Sequence, residues 1–143
     1  MGLPYLKVEP DAALKVIDEC IVAGYKIKDE ISNEYHGNKE GADAKIEEWR
    51  QRGWQWAVDT MNKLSEVFVS EKELYNFRDA NPPFGATSEN VQYFGTVQTI
   101  KARIDKLNAY DEKISQNFNV HLEVVMRDKI TQIGDNGTIK TKN

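Results

Sequence analysis

Apolar residues recur along most of this chain at intervals of three and four, the spacing that returns a side chain to one face of an α-helix. The first such segment runs from about Pro10 to Tyr35. Its apolar stripe consists of Leu14, Ile17, Cys20, Ile21, Ile27 and Ile31. Pro10 suits the first turn of a helix and Gly37 suits the position just past its end, so the pattern predicts a long amphipathic helix.

A second long helix is predicted from about Ala42 to Val69. Its periodic positions are Ile46, Trp49, Gly53, Trp56, Thr60, Leu64 and Val67. A short helix should follow, because Ser70 and Glu73 are spaced as a capping box, in which two side chains bond to free amides at a helix start. This helix must end before Pro82, since proline is not tolerated in a helix interior.

The third long helix is predicted to begin near Ser88, a suitable N-cap. Its apolar positions are Tyr93, Val97, Ile100, Ile104, Leu107, Ile114 and Phe118. Cationic residues also follow this helix, but acidic residues are interleaved with them, which is typical of a solvated face. These cations are Lys101, Arg103, Lys106 and Lys113.

Residues 119–133 fit two patterns. Val120, Leu122, Val124 and Met126 alternate as in a strand, whereas Leu122, Val125, Met126, Ile130 and Ile133 fit one helical face. Gly134 stands where a helix C-cap would, and a terminal hairpin alone is marginally stable, so a helix is favoured over a β-hairpin. We therefore predict an all-α fold, an antiparallel bundle of three long helices with a short helix after the second and a possible fourth helix near 119–133.

The length of 143 residues suits one domain with its own core. We assign residues 1–133 to a single helical-bundle domain. Residues 134–143 are polar and turn-forming except for Ile139, which predicts an exposed tail or a linker.

Charge and chemistry narrow the classes of function. A net charge of −4 argues against nucleic-acid binding, and no apolar run has the length of a membrane span. The single cysteine, Cys20, cannot form an internal disulfide, which favours a cytoplasmic location, and its place on an apolar stripe favours a core residue over a nucleophile. The two histidines, His36 and His121, stand in no metal-ligand motif, so we expect no metal and no cofactor.

Candidate binding residues come first from the glycines. If the first two helices form an antiparallel hairpin, Gly24 and Gly53 lie opposite each other. This level is either a close helix crossing or a small pocket walled by tryptophans. Trp54 lies off the stripe that holds Trp49 and Trp56, so it is covered by the third long helix or belongs to a partner surface.

The connector between the short helix and the third long helix is aromatic for a loop. Tyr75, Phe77 and Phe84 lie in or beside it, and its two prolines would present them with little loss of entropy on binding. The alternative is that these aromatic residues cap one end of the bundle. Arg78 and its neighbour Asp79 form the one notable polar pair of the connector.

Three hypotheses for the function follow. The leading one is a non-enzymatic protein-interaction or oligomerisation domain, as the N-terminal module of a larger bacterial signalling or defence protein or as a small inhibitor protein. The second is a small-molecule sensor with an aromatic pocket near Gly24 and Gly53. The third is an enzyme with a dispersed, unrecognised site, which convergence of Arg78 and Asp79 with His36 in a cleft would support.

Overall fold

The computed structural model describes residues 2–82 and 85–133, with side chains as far as Asn117. In these ranges the chain forms helix α1 (Pro10–Gly37), a 3-10 helix (Lys39–Lys45), α2 (Ile46–Val67), α3 (Lys72–Arg78) and α4 (Val91–Ile133). The only pairing of extended backbone within them is an isolated bridge between Leu6 and Phe68. The predicted all-α fold is confirmed.

Side-chain caps precede two of the helices, the 3-10 helix and α4. The carboxamide oxygen of Asn38 accepts a hydrogen bond from the Gly41 amide at 3.1 Å, so a 3-10 turn precedes α2 and delays its start to Ile46. At α4 the N-cap is Asn90 rather than the predicted Ser88. Its Oδ1 atom accepts from two free amides, those of Gln92 and Tyr93, at 3.0 and 3.1 Å.

The predicted capping box at the start of α3 does not form, because the N-cap residue is Glu71 and Ser70 bonds to the amide two residues on rather than three. Ser70 Oγ accepts a hydrogen bond from the Lys72 amide at 3.0 Å. Glu73 does not complete the box, because its Oε1 atom is buried with no hydrogen-bond partner among the described residues. The helix begins at Lys72 all the same, and it packs on both α2 and α4.

The ambiguous segment 119–133 is helical, as favoured over a hairpin, but it is not a separate fourth helix. It continues α4, which is 43 residues long. No glycine or proline occurs between Thr96 and Ile133, so nothing in the sequence interrupts the helix. The predicted tail, 134–143, lies outside the described residues.

The long helices pack around one core. Helix α4 packs most extensively on α1 and runs antiparallel to it, since Tyr35 stacks on Tyr93 at 3.8 Å and Gly24 lies beside Ile104. The largest fully buried side chains include Trp49, Phe77, Ile17, Ile31, Leu64, Ile104 and Leu107. Among the described residues, no helix combines the length and the apolarity needed to cross a membrane.

Two carboxyl groups meet where α1 packs on α4. Burial, together with the neighbouring Asp18 carboxyl, raises the pKa of Asp111 to about 6, while a hydrogen bond from Ser115 opposes the shift. Between about pH 4 and pH 6, the Asp111 carboxyl is therefore mostly protonated in the folded protein and mostly ionised in the unfolded chain. The stability that this proton contributes is complete below the unfolded pKa and is lost as the pH rises through about 6.

Asp111→Asn is therefore expected to stabilise the protein near neutral pH, by on the order of 1 kcal/mol because the pair is largely solvated. The gain over the wild type should shrink as the pH falls to about 5 and below. Urea denaturation of the wild type and of Asp111→Asn across this pH range measures the difference between their free energies of unfolding. Asp105→Asn is the control, since it removes an exposed carboxylate that pairs with Lys101 at 2.8 Å and should destabilise slightly. A gain that does not change with pH would contradict the assignment.

Candidate functional site

A surface groove runs between α2 and α4, and we call it the Trp54 groove. Its volume is about 530 Å³. Helix α2 contributes Arg50, Gly53 and Trp54, and α4 contributes Val91, Gln92, Gly95, Thr96, Thr99, Ile100 and Arg103. Because an α-helix rises 1.5 Å per residue, the α4 side of the groove is about 18 Å long, or roughly three helical turns.

Small residues form much of the floor of the groove. Gly53 is buried, and a Cβ atom there would lie 3.1 Å from the side chain of Ile100. At Gly95 a Cβ atom would meet nothing within 4 Å, so open space lies in front of it. The hydroxyls of Thr96 and Thr99 donate back to carbonyls of their own helix, at 2.8 Å each. A backbone from another molecule can therefore approach this floor closely.

Trp54 lies at one side of the groove and is 48% exposed. The other two tryptophans, Trp49 and Trp56, are 1% and 4% exposed, as expected for the buried stripe of α2. The guanidinium carbon of Arg103, on α4, lies 5.3 Å from the centroid of the Trp54 ring. The third long helix therefore contacts this tryptophan without covering it, and an exposed ring held by a cation–π contact remains.

Arg103 is partly buried, and its guanidinium group is held by a carbonyl rather than by a carboxylate. Its Nε and Nη2 atoms donate to the backbone oxygen of Arg78 at 3.3 and 2.9 Å. Burial lowers its pKa from the ordinary value, an effect that the charge of Asp79 opposes. The group stays charged, since an arginine is not deprotonated in proteins, and three of its five N–H donors are not engaged by these bonds.

The groove carries positive charge on an acidic protein. Arg50 is exposed and lies one helical turn before Trp54, on the same face of α2. Together with Arg103 it supplies two cations, and no acidic side chain lines the described part of the groove. The net charge of the whole chain is −4. The lining of the groove is therefore positive, in contrast to the charge of the chain as a whole.

The two glycines singled out from the sequence do not face each other across a pocket. Each packs against α4, Gly24 beside Ile104 and Gly53 beside Ile100. The indole of Trp56 fills the space at Gly24, where a Cβ atom would lie 2.5 Å from Cζ2. Close packing therefore accounts for Gly24, and the aromatic pocket expected at this level is occupied by the protein's own side chain.

The aromatic residues of the connector separate in the structure. Phe77 is fully buried and lies edge-on to Trp56 at 5.6 Å between ring centroids, so its ring belongs to the core and is not exposed as the binding prediction needs. Tyr75 is 46% exposed, with the Arg78 guanidinium 4.9 Å from its ring centroid. Arg78 forms a bidentate pair with Asp79 at 2.8 and 3.0 Å. Phe84 lies outside the described residues.

The structure does not bring His36 together with the Arg78–Asp79 pair. His36 contacts Tyr93, at 6.2 Å between ring centroids, whereas Arg78 contacts Arg103. Ten residues of helix separate Tyr93 from Arg103, which is about 15 Å. Burial raises the pKa of the Cys20 thiol, the opposite of what a nucleophile requires. No group of three potential metal ligands is found in the part of the chain that the structure describes.

Sequence reasoning assigned Arg103 to a solvated face, and this was the main residue it missed. One signal was present, because Arg103 lies between Ile100 and Ile104 of the buried stripe and so at its edge.

Comparisons of the chain with protein-family models, with curated proteins and with solved structures found no match.

Proposed function

We propose that this protein is a non-enzymatic protein-interaction module, and that the Trp54 groove binds a helical segment of a partner protein. The observation that carries the proposal is an exposed tryptophan fixed beside a groove with a glycine floor. Tryptophan dominates the binding energy of many interfaces, and a large ring held in place loses little entropy on binding.

The shape of the groove favours a helix as its occupant. Helices α2 and α4 run parallel on its two sides, since Trp49 contacts Tyr93 and, further along both helices, Trp54 contacts Arg103. A third helix could lie between them over about three turns, with its backbone close to Gly53 and Gly95. Recognition of this kind places the apolar face of an amphipathic helix in a groove between helices.

A small molecule is the weaker candidate for this function. The volume of the groove lies in the range of ligand pockets, which is about 300–1,000 Å³. Its elongated form, however, is open along a helix face, and the enclosed space expected near Gly24 is filled by Trp56. A cytosolic location is proposed with the interaction function, because Cys20 is present as a buried free thiol.

The proposal is tested by selecting binders from a displayed library of random peptides of about 16 residues, long enough to cover the groove as a helix. Peptides that bind the wild type are then measured against Trp54→Ala by fluorescence anisotropy. We expect Trp54→Ala to weaken binding at least about tenfold. Val22→Ala is the matched control, because Val22 is 67% exposed on α1 and does not line the groove.

Three outcomes would overturn the proposal. The first is a selection without binders, and the second is binding that Trp54→Ala leaves unchanged. The third is that a second copy of the chain, rather than a partner protein, occupies the groove. Light scattering after size exclusion, over roughly a hundredfold dilution, tests it, because mass action dissociates a dimer. A wild-type dimer that Trp54→Ala converts to a monomer would assign the groove to self-association.

A further inference from the structure

Resting on the docking function proposed above, we infer that the partner's helix is acidic and that Arg103 binds one of its carboxylates. In this arrangement an Asp or Glu side chain of the partner pairs with the Arg103 guanidinium while an apolar side chain beside it covers the Trp54 ring. Two features of the groove lead to this assignment, the bonding of Arg103 and the charge around it.

Arg103 differs in its partners from two other arginines of the bundle. Arg52 pairs with Glu30 and Glu34 at 3.0 and 2.9 Å, and Arg78 pairs with Asp79 at 2.8 Å. Arg103 forms no ion pair with any carboxylate in the described ranges, although it is partly buried. The charge of Asp79 acts on it, but that carboxylate is paired with Arg78. Because a charge removed from water is normally paired, the N–H donors that the Arg78 carbonyl does not engage are suited to a carboxylate from another molecule.

The contacts of Arg103 also prepare it for binding. The two bonds to the Arg78 carbonyl and the contact with the Trp54 ring restrict its side chain before any partner arrives. A guanidinium held in one orientation can donate two hydrogen bonds to a carboxylate, in bidentate geometry, with little further loss of entropy. Arg50 adds a second positive charge, which would speed the encounter with an acidic segment and make it sensitive to salt.

The charge of the groove can be measured without any partner, by the quenching of tryptophan fluorescence with iodide and with caesium. Trp54 is the tryptophan that solvent reaches, so the quenchers report on its surroundings. With each quencher normalised to N-acetyltryptophanamide, iodide should quench more strongly than caesium. Arg103→Gln and Arg50→Gln should each narrow the difference. Equal quenching by the two ions, or stronger quenching by caesium, would overturn the inference.

The decisive experiment uses the peptides selected on the wild-type groove, each paired with a version in which Asp and Glu are replaced by Asn and Gln. We expect the acidic version to bind the wild type at least about tenfold more tightly, and this preference to be lost in Arg103→Gln. Arg103→Lys should recover part of it, because a lysine keeps the charge and loses the bidentate geometry. Lys26 is an exposed cation on α1, so Lys26→Gln should leave the preference for acidic peptides unchanged.

Arg103→Gln also breaks the bonds to the Arg78 carbonyl, so its folding is checked by circular dichroism. If it does not fold, Arg50→Gln replaces it, since Arg50 is exposed and its loss should still reduce the acidic preference and its salt dependence. Peptides that need Trp54 but show no acidic preference would overturn this inference and leave the docking function standing. Peptides that do not need Trp54 would overturn both.

Discussion

Replacing Phe77 with alanine should lower the free energy of unfolding by about 3–5 kcal/mol, the loss typical of removing a large aromatic side chain from a core. Phe77 is fully buried, and its ring lies edge-on to Trp56. Its removal would leave a cavity between α3 and α2 that these helices cannot close without moving. Urea denaturation, followed by circular dichroism, measures the change.

Tyr75→Ala is the matched control for Phe77, because both aromatic residues lie in α3. Tyr75 is 46% exposed, and its hydroxyl makes one exposed hydrogen bond, to Glu71 at 3.3 Å. Its loss should therefore cost less than about 1 kcal/mol. Equal losses for the two variants would mean that α3 does not pack as the structure has it.

Gly24→Ala should also destabilise the protein, by about 1–3 kcal/mol, although alanine is the better helix former. The new Cβ atom would lie 2.5 Å from Trp56 Cζ2 and 3.0 Å from Ile104 Cγ1. The Trp56 ring cannot move aside freely, because its Nε1 atom donates to the backbone oxygen of Cys20 at 3.0 Å. The penalty should shrink in a Trp56→Leu background, which a double-mutant cycle by urea denaturation measures.

Gly95→Ala provides the control with the opposite sign. Gly95 lies in a helix, and its added Cβ atom would meet nothing within 4 Å. The variant should gain up to about 1 kcal/mol, because alanine loses less conformational entropy in a helix than glycine does. If Gly24→Ala stabilised the protein as Gly95→Ala does, close packing would not be the reason for the glycine at position 24.

The helices and their buried faces were predictable from the sequence, because both depend on residues a few positions apart. The interval of three and four located α1, α2 and the first part of α4, as far as Phe118. It also placed Cys20 and Trp56 on buried stripes. Off the stripe, the same geometry left two alternatives for Trp54, cover by the third long helix or a place on a partner surface, and the structure shows it 48% exposed. The helix starts were less accurate, since the choice of Asn90 over Ser88 depends on which side chain reaches the free amides.

Only the tertiary structure decided which faces meet, because a local pattern shows that a side chain is buried and not what it is buried against. It separated Phe77 from Tyr75, two aromatic residues of one short helix, by packing one against Trp56 and leaving the other in water. It filled the space at Gly24 with the Trp56 ring. It also brought Arg103 to the Arg78 carbonyl, 25 residues away in the chain, and so left a positive groove that no local pattern contains.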